Sequence, residues 1–261
     1  MKLEDENFAM KFELDTLRDL IVHNEAERWV PKFIWKRIED EHRSRYEHAC
    51  NYTSGKKVLD VACGSGYGSF LLKTEGHASE VYAYDLDAKA IRYGNIRYAH
   101  QNITRSVQNV EKFIMPNYFD VVVSFETIEH LTDYNQFLVN VYESLIEGGI
   151  LIISTPIVPK TRTSCYNPFH KIEWDFYDFQ ELIKRHFEVN EVYVQSIGRG
   201  ETRISNFLTK IKGKVFKLDD KQDDVNFVPQ KITRLRETKN IVSGYQILVC
   251  TKRYAKSNNG I

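Results

Sequence analysis

The sequence predicts an α/β fold: a doubly wound, seven-stranded sheet with N-terminal helices and an insertion before the last strand. The stretch KVLDVACGSGYG, residues 57–68, predicts a buried strand, a glycine turn and the start of a helix. Apolar runs then alternate with helical stretches along the chain, as in strand–helix–strand units. The run FDVVVS, residues 119–124, is rich in β-branched residues and suits a strand buried on both faces.

The composition is that of an ordinary globular chain. It has 261 residues, and 36 lysines and arginines balance 36 acidic residues. Because no apolar run is long enough to span a membrane and the N-terminus has no signal-peptide pattern, we expect one cytoplasmic domain without a membrane span. The cysteines show no metal-binding spacing. Zero net charge disfavours a dedicated nucleic-acid partner, although it allows a local basic patch.

Residues 1–52 have helical periodicity and are predicted to cover the sheet. Pro31 is expected to begin a second helix. The stretch HRSRYEHA, residues 42–49, precedes the glycine strand and carries Arg45 and Tyr46. These two side chains either reach a ligand or belong to a helix face that only covers the sheet edge, and the sequence leaves both interpretations open.

The glycine turn at residues 64–68 predicts a ligand site. Glycine lets the chain turn sharply and lets a ligand approach the bare backbone, and amides at a helix start favour anionic groups. A dinucleotide and S-adenosylmethionine (SAM) both fit such a turn. The dinucleotide pattern has glycine or alanine at position 69, where this chain has Ser69. Asp60, inside the strand, is instead placed to meet the ammonium group of a methionine-type ligand.

An acidic residue followed by G-x-G-x-G resembles the first motif of the class I SAM-dependent methyltransferases, which have a Rossmann-like sheet. The resemblance covers roughly residues 45–252. In similar enzymes an arginine or tyrosine near Arg45 and Tyr46 reaches the SAM carboxylate. The resemblance therefore implies SAM as cofactor, with these candidate binding residues: Arg45, Tyr46, Asp60, Gly64, Ser65, Gly66, Asp85, Leu86, Asn109, Val110 and Glu126.

The ribose and adenine contacts are expected after the second and third strands. Asp85 ends the second predicted strand about 20 residues after Gly66, the offset at which an acid meets ribose hydroxyls. Leu86 follows and would lie against the adenine ring. Asn109 stands where related enzymes carry an aspartate that accepts from the adenine amine, and the backbone amide of Val110 would serve a ring nitrogen.

The sequence FETIEH follows the fourth predicted strand and places Glu126, Glu129 and His130 at the carboxyl end of the sheet. Spacings of three and four residues on a starting helix would put them on one face, at the edge where open α/β sheets bind ligands. Two carboxylates and an imidazole suit half of a divalent-metal site. Alternatively, the acids only favour the helix start and the histidine caps it. The helix that follows is predicted to end at Gly148 and Gly149.

A second segment, NPFHKIEW at residues 167–174, follows a long loop after the fifth predicted strand. It resembles bacterial sugar and surface-polysaccharide methyltransferases, which carry N-P-[FY]-H followed by an acid. It is also similar to small-RNA 2′-O-methyltransferases, where E-x-x-E-H and a later H-K-x-E-W supply a metal site. The resemblance implies Mn²⁺ or Mg²⁺ held by Glu126, Glu129, His130 and His170. Without metal, His130 or His170 is the predicted catalytic base. Glu173 matches the motif's tail, which simple packing also explains.

An insertion separates the last two predicted strands, which are expected to pair as an antiparallel hairpin. Its residues 199–239 hold 11 lysines and arginines against six acids. Basic residues between aromatics suit a phosphate-bearing or acidic acceptor, and a solvated helical excursion with its own small core is the alternative. The predicted organisation is a helical cover at 1–52, a SAM-binding domain at 53–198 and 243–254, and an acceptor cap at 199–242.

Together these patterns predict a SAM-dependent O-methyltransferase. The expected acceptor is a small molecule or glycan precursor, namely a sugar hydroxyl or phosphorylated precursor in capsule or surface-polysaccharide synthesis. An RNA 2′-O-methyltransferase is the alternative among enzymes, and it needs a basic track that the neutral charge disfavours. A non-catalytic SAM-binding regulatory module is the alternative of another class, and the acids and histidines beside the methyl site argue against it. The sequence predicts no oligomeric state.

Overall fold

The computed structural model describes residues 2–19, 36–195, 232–234 and 241–253. The strands are β1 (Lys57–Val61), β2 (Glu80–Asp85), β3 (Ile103–Val107), β4 (Phe119–Ser124), β5 (Leu145–Ile157), β6 (Glu188–Gln195), β7 (Ile232–Arg234) and β8 (Gly244–Thr251). The helices are α1 (Leu3–Arg18), α2 (Lys36–Cys50), α3 (Tyr67–Thr74), α4 (Ala88–Arg97), α5 (Tyr134–Ser144) and α6 (Phe176–Lys184). A single 3₁₀ turn, Ile128–His130, follows β4.

All eight strands form one sheet, in the order β3-β2-β1-β4-β5-β8-β6-β7. Strands β1 to β5 run parallel to one another, and β8 lies between β5 and β6, antiparallel to both. The carboxyl ends of parallel strands share one edge of a sheet. The glycine turn after β1, Asp85 at the end of β2 and the 3₁₀ turn after β4 therefore lie along the same edge.

Helices cover both faces of the sheet. On one face, α2, α3 and α4 contribute Ala49, Leu71 and Ile91 to a buried apolar core. On the other face, α5 and α6 contribute Phe137 and Phe179. Because both faces are covered, most residues of the central strands β1 and β4 are apolar and buried. The predicted doubly wound α/β fold is confirmed.

Aspartate side chains fix the starts of three helices that follow strand ends or loops. Asp87, Asp133 and Asp175 each accept a backbone amide from the first turn of α4, α5 and α6, respectively. Such caps satisfy amides that have no partner within the helix. They set where each helix begins and so limit the length of the loops at the carboxyl edge.

The structure contains each of the seven predicted strands and confirms that β6 pairs with β8. The additional short strand, β7, pairs with the end of β6 and lies within the predicted insertion. The prediction that Gly148 and Gly149 end a helix is wrong, because α5 ends at Ser144 and both glycines lie in β5. Gly148 has a left-handed φ of 72°, and the β4–β5 register shifts beside it, so the glycines form an irregularity in the strand.

The N-terminal helices lie on the flank of the sheet domain. The rings of Phe12 on α1 and Tyr93 on α4 stack with centroids 4.6 Å apart. The expected helix start at Pro31 and most of the predicted acceptor cap lie outside the described residues. The predicted domain boundaries therefore stay predictions.

Within the described ranges, no helix combines the length and the hydropathy needed to cross a membrane.

Candidate active site

The turn after β1 is open at Gly64, where a ligand is expected to approach. Gly64 and Gly66 have left-handed φ angles of 53° and 83°, a conformation that favours glycine. A Cβ added to Gly64 would meet nothing within 4 Å. The Gly64 amide donates to Asp85 Oδ2 at 2.9 Å, and the Asp87 amide donates to Asp85 Oδ1 at 2.9 Å. Asp85 thus joins the ends of β1 and β2, and its ribose contact stays a prediction.

Gly68 and Ser69 serve the protein interior rather than the ligand. A Cβ on Gly68 would lie 2.1 Å from Cζ of Tyr46, so the tyrosine ring occupies that space. The Tyr46 hydroxyl donates to Asp60 Oδ1 at 3.1 Å, and the Ser69 hydroxyl donates to Asp60 Oδ2 at 2.6 Å. The serine that breaks the dinucleotide pattern is therefore a partner of the strand aspartate.

Asp60 has no exposed surface in this conformation. Burial raises the pKa of its carboxyl group to about 7, against the opposing effect of the Ser69 and Tyr46 hydrogen bonds. Both oxygens accept one hydrogen bond from the protein, and no surface of Asp60 is exposed to a ligand ammonium in this conformation. The predicted contacts of Asp60 and Tyr46 with SAM stay predictions.

Arg45 is almost completely buried and lies at the ends of β6 and β8. Its Nη1 donates to Gln195 Oε1 at 2.6 Å, and its guanidinium carbon is 4.7 Å from the centroid of the Tyr245 ring. No carboxylate of the described ranges forms an ion pair with it. A buried cation without a carboxylate partner suits an anionic ligand. The Ser65 hydroxyl is also buried without a hydrogen-bond partner in the described part of the chain.

The residues expected at the adenine differ in how accessible they are. Leu86 is 64% exposed, which leaves an apolar surface that a base could cover. The Asn109 side-chain oxygen accepts from the Glu111 amide at 2.9 Å, so one of its two lone pairs is already used. Val110 is buried. The adenine contacts of these residues stay predictions.

Glu126 does not join the metal-ligand group that the sequence predicted. It precedes the 3₁₀ turn, with a left-handed φ of 49°, so the expected helix face is not formed. The Ser154 hydroxyl donates to Glu126 Oε1 at 2.6 Å. Burial raises the pKa of the Glu126 carboxyl group, against the nearby charge of Arg45. In the structure, the partner of the Glu126 carboxylate is therefore the Ser154 hydroxyl on β5.

Glu129, His130 and His170 do converge. They offer ligand atoms that all lie within 4.8 Å of one another, and the two imidazole centroids are 4.8 Å apart. Glu129 Oε1 is buried and has no hydrogen-bond partner among the described residues. Burial is the main cause, and the charge of Glu126 the second, that holds the pKa of the Glu129 carboxyl group well above its usual range. Burial, and to a lesser extent the nearby charge of His170, lowers the pKa of His130 to about 4. His130 is therefore neutral at physiological pH.

Glu173 orients His170, a role that the sequence did not assign. His170 Nδ1 lies 2.8 Å from Glu173 Oε1, and the Arg162 guanidinium donates to Glu173 Oε2 at 2.6 Å. With Nδ1 as the donor, Nε2 carries the lone pair, and the Asn167 side-chain nitrogen lies 3.0 Å from it. The backbone amide of Lys171 donates to the carbonyl of Glu129 at 2.7 Å, which ties this loop to the 3₁₀ turn.

A family model described as a methyltransferase domain matches residues 52–210. The chain belongs to this methyltransferase domain family. A protein of Mycolicibacterium smegmatis named probable S-adenosylmethionine-dependent methyltransferase is 32% identical over 175 residues, which are 64% of this chain and 65% of that protein. The predicted resemblance to SAM-dependent methyltransferases is thereby confirmed.

Two further comparisons place this methyltransferase domain among its relatives. The malonyl-[acyl-carrier protein] O-methyltransferase of Bacillus cytotoxicus is 28% identical over 112 residues, which are 43% of this chain and 39% of that protein. A SAM-dependent methyltransferase structure from Mesorhizobium loti has a TM-score of 0.55 and 13% identity, and the match covers 81% of this chain and 97% of that one. This chain thus spans less than two thirds of the length of both curated relatives. The narrower likeness to polysaccharide enzymes stays a prediction.

Proposed function

We propose that this chain transfers the methyl group of SAM to an acceptor oxygen. The observation that carries the proposal is one shared sheet edge. The open turn at Gly64, braced by Asp85, lies on the same edge as the convergent side chains Glu129, His130 and His170. A protein that only bound SAM would not need the second group. The name of the Bacillus cytotoxicus relative supports oxygen as the accepting atom.

The proposed donor site extends from the glycine turn to Leu86. Gly64 lets SAM approach the backbone, Asp85 accepts from the ribose hydroxyls, and Leu86 is covered by the adenine ring. The buried guanidinium of Arg45 is proposed to attract the SAM carboxylate. Asn109, with its remaining lone pair, and the Val110 amide are proposed to recognise the adenine edge.

The proposed acceptor is a sugar hydroxyl or phosphorylated precursor of a capsule or surface polysaccharide. The support is the likeness of the NPFH segment at residues 167–170 to such enzymes. His170 from this segment lies beside His130 from the turn after β4. An acceptor hydroxyl bound between the loop and the turn would therefore lie at the proposed base.

Three residues fit a divalent metal better than the predicted four. Glu129 Oε1 is a buried carboxylate oxygen without a hydrogen-bond partner in the described ranges, and His130 is neutral, as a ligand must be. His170 is oriented by Glu173, a common arrangement around metal-binding histidines. A set of two histidines and one carboxylate leaves positions open for an acceptor oxygen. When bound, Mn²⁺ or Mg²⁺ would lower the pKa of the acceptor hydroxyl.

The chain's own residues supply alignment and a base. SAM brings an already activated methyl group, so the protein must align acceptor oxygen, methyl carbon and sulfur. His170 Nε2 carries a lone pair because Nδ1 is hydrogen-bonded to Glu173. That lone pair faces the Asn167 side-chain nitrogen at 3.0 Å, so the acceptor hydroxyl must displace Asn167 before Nε2 can take its proton. His130 is the second base that the geometry offers.

The test is a single-turnover assay with methyl-labelled SAM and two acceptor classes, sugar phosphates with nucleotide sugars and a short RNA, beside a control without acceptor. We expect transfer to the sugar class only. Glu129→Gln and His170→Ala should each lower the rate at least about 100-fold, as expected for a lost base or ligand, while calorimetry shows unchanged SAM affinity. Glu126→Gln should retain metal, and Glu181→Gln, which removes an exposed ion pair, is the neutral control.

The outcomes separate the parts of the proposal. SAM binding without transfer to any oxygen acceptor would favour a regulatory module and contradict the enzyme. Transfer at full rate in EDTA, with no metal by elemental analysis, would eliminate the metal and leave histidine as the base. Loss of metal in Glu126→Gln would show that Glu126 is a fourth ligand, as the sequence predicted.

A further inference from the structure

Arg105 lies beneath the glycine turn and contacts it directly. Its strand, β3, is two strands away from β1, and its side chain reaches back to the turn. Nη2 donates to the Gly66 carbonyl at 3.3 Å and to the Tyr98 carbonyl at 2.9 Å. The Gly66 carbonyl also accepts the Phe70 amide in the first turn of α3 at 3.2 Å. One guanidinium therefore joins the turn to the chain that follows α4.

Two glycines leave the space that Arg105 fills. A Cβ on Gly66 would lie 2.9 Å from Arg105 Nε, and a Cβ on Gly94 would lie 3.0 Å from the same atom. The Gly94 Cβ would also lie 3.2 Å from the Ser65 carbonyl oxygen. Gly94 is in the middle of α4, where glycine is a poor helix former. Close packing against Arg105 and the Ser65 carbonyl is a physical reason for glycine at position 94.

Arg105 has no carboxylate partner that would explain its position. Within the described ranges it forms no ion pair, and its Nε is buried without a hydrogen-bond partner. Its hydrogen bonds go to backbone carbonyls only, so they fix the path of the chain. Arg105 is half-buried. Withdrawing part of a cation from water without pairing it costs free energy, and an apolar side chain could fill a purely structural role at lower cost.

We propose that Arg105 is a positioning residue that holds the glycine turn in its donor-binding form, and that Gly94 is the matching space on α4. The inference rests on the proposed SAM site. Arg105 does not touch the donor: it acts through the Gly66 carbonyl, and Gly66 lies between the Ser65 backbone and the start of α3. The open backbone at Gly64 depends on the same turn.

The experiment measures SAM affinity by calorimetry in variants that are fully folded at the assay temperature. Arg105→Met should raise the SAM Kd about tenfold, the equivalent of one hydrogen bond from a charged donor. Arg105→Lys should recover only part of the lost SAM affinity, because an ammonium group cannot reproduce the planar arrangement of donors of a guanidinium. Gly94→Ala should gain helix propensity but crowd Arg105 and the Ser65 carbonyl. Its melting temperature should therefore change little, while SAM binding weakens severalfold.

Arg97→Met is the matched control, because Arg97 is on the same helix as Gly94 but pairs with Glu6 and Glu13 on α1. It should lose stability and keep its SAM affinity. Unchanged SAM affinity in both Arg105→Met and Gly94→Ala would overturn the proposal, as would equal weakening in Arg97→Met. Amide hydrogen exchange of residues 65–68 in the free protein is a second readout. Faster exchange in Arg105→Met supports the proposal even if SAM is not the donor, and unchanged exchange contradicts it.

Discussion

Single side chains in the donor region are held by one another as well as by the backbone. Asp60 accepts from Tyr46 and Ser69, and Asp85 accepts two backbone amides. Asp60 is fully buried and Asp85 is not. Burial disfavours the charged form of a carboxyl group, so Asp60 favours its protonated form more than a free aspartate does.

The raised pKa of Asp60 makes the stability of the protein depend on pH. Between pH 3.8, its ordinary pKa, and about 7, folded Asp60 keeps a proton that the unfolded chain releases. Its contribution to stability is therefore present at low pH and lost as the pH rises through about 7. We expect Asp60→Asn to remove a decline in the free energy of unfolding of up to about 1.4 kcal/mol per pH unit in this window. Urea denaturation at a series of pH values measures it.

Ser69→Ala is the companion variant for this measurement. The Ser69 hydroxyl lowers the Asp60 pKa, so its removal should extend the declining window to higher pH. An identical pH slope in Asp60→Asn and the unchanged protein would show that Asp60 does not titrate in this range.

At the scale of elements, the strand–turn–helix unit β1–α3 uses each glycine for a different purpose. Gly64 is open to a ligand, Gly66 begins α3 with a left-handed backbone, and Gly68 lies against the Tyr46 ring. The third position thus joins α3 to α2. Helix α2 carries both Arg45 and Tyr46, and Tyr46 packs α2 against the donor turn.

Alanine substitutions should separate these purposes. Gly68→Ala should destabilise the fold by about 1–3 kcal/mol, because the new methyl group overlaps a rigid, buried ring. Gly64→Ala should cost about 1–2 kcal/mol for the left-handed backbone and should in addition weaken SAM binding. Chemical denaturation and calorimetry measure the two effects. Combining Gly68→Ala with Tyr46→Ala should restore part of the lost stability if the ring is the cause, and purely additive losses would contradict it.

At the scale of the whole molecule, the predicted acceptor cap joins two neighbouring strand ends. Gln195 at the end of β6 and Tyr245 at the start of β8 are register partners, so a short turn can connect them. Replacing residues 199–242 by a short turn keeps Gln195 and Tyr245, which hold Arg45, so it should leave SAM affinity unchanged and abolish methyl transfer. Calorimetry and the labelled-SAM assay test this. Transfer to the native acceptor by the shortened chain would contradict the cap.

Local patterns in the sequence predicted most of the fold and the outline of the donor site. The apolar runs identified seven strands, and the glycine spacing identified the turn, because backbone conformation and burial on both faces restrict residue type locally. The same locality explains the errors. A helix was predicted where FETIEH begins, but the left-handed backbone of Glu126 and the Ser154 contact from β5 lead to a short 3₁₀ turn.

The sequence by itself determined the α/β class, the glycine turn and the candidate status of Glu129, His130 and His170. Only the tertiary structure decided which side chains meet: Glu173 with His170, Arg45 with Gln195, and Arg105 with Gly66. The last two pairs join segments far apart in the chain. Their proximity depends on strand order and on the space left by neighbouring residues. Neither can be predicted from a local sequence pattern. Packing, rather than residue type, therefore separates the residues that face a ligand from those that hold the site in place.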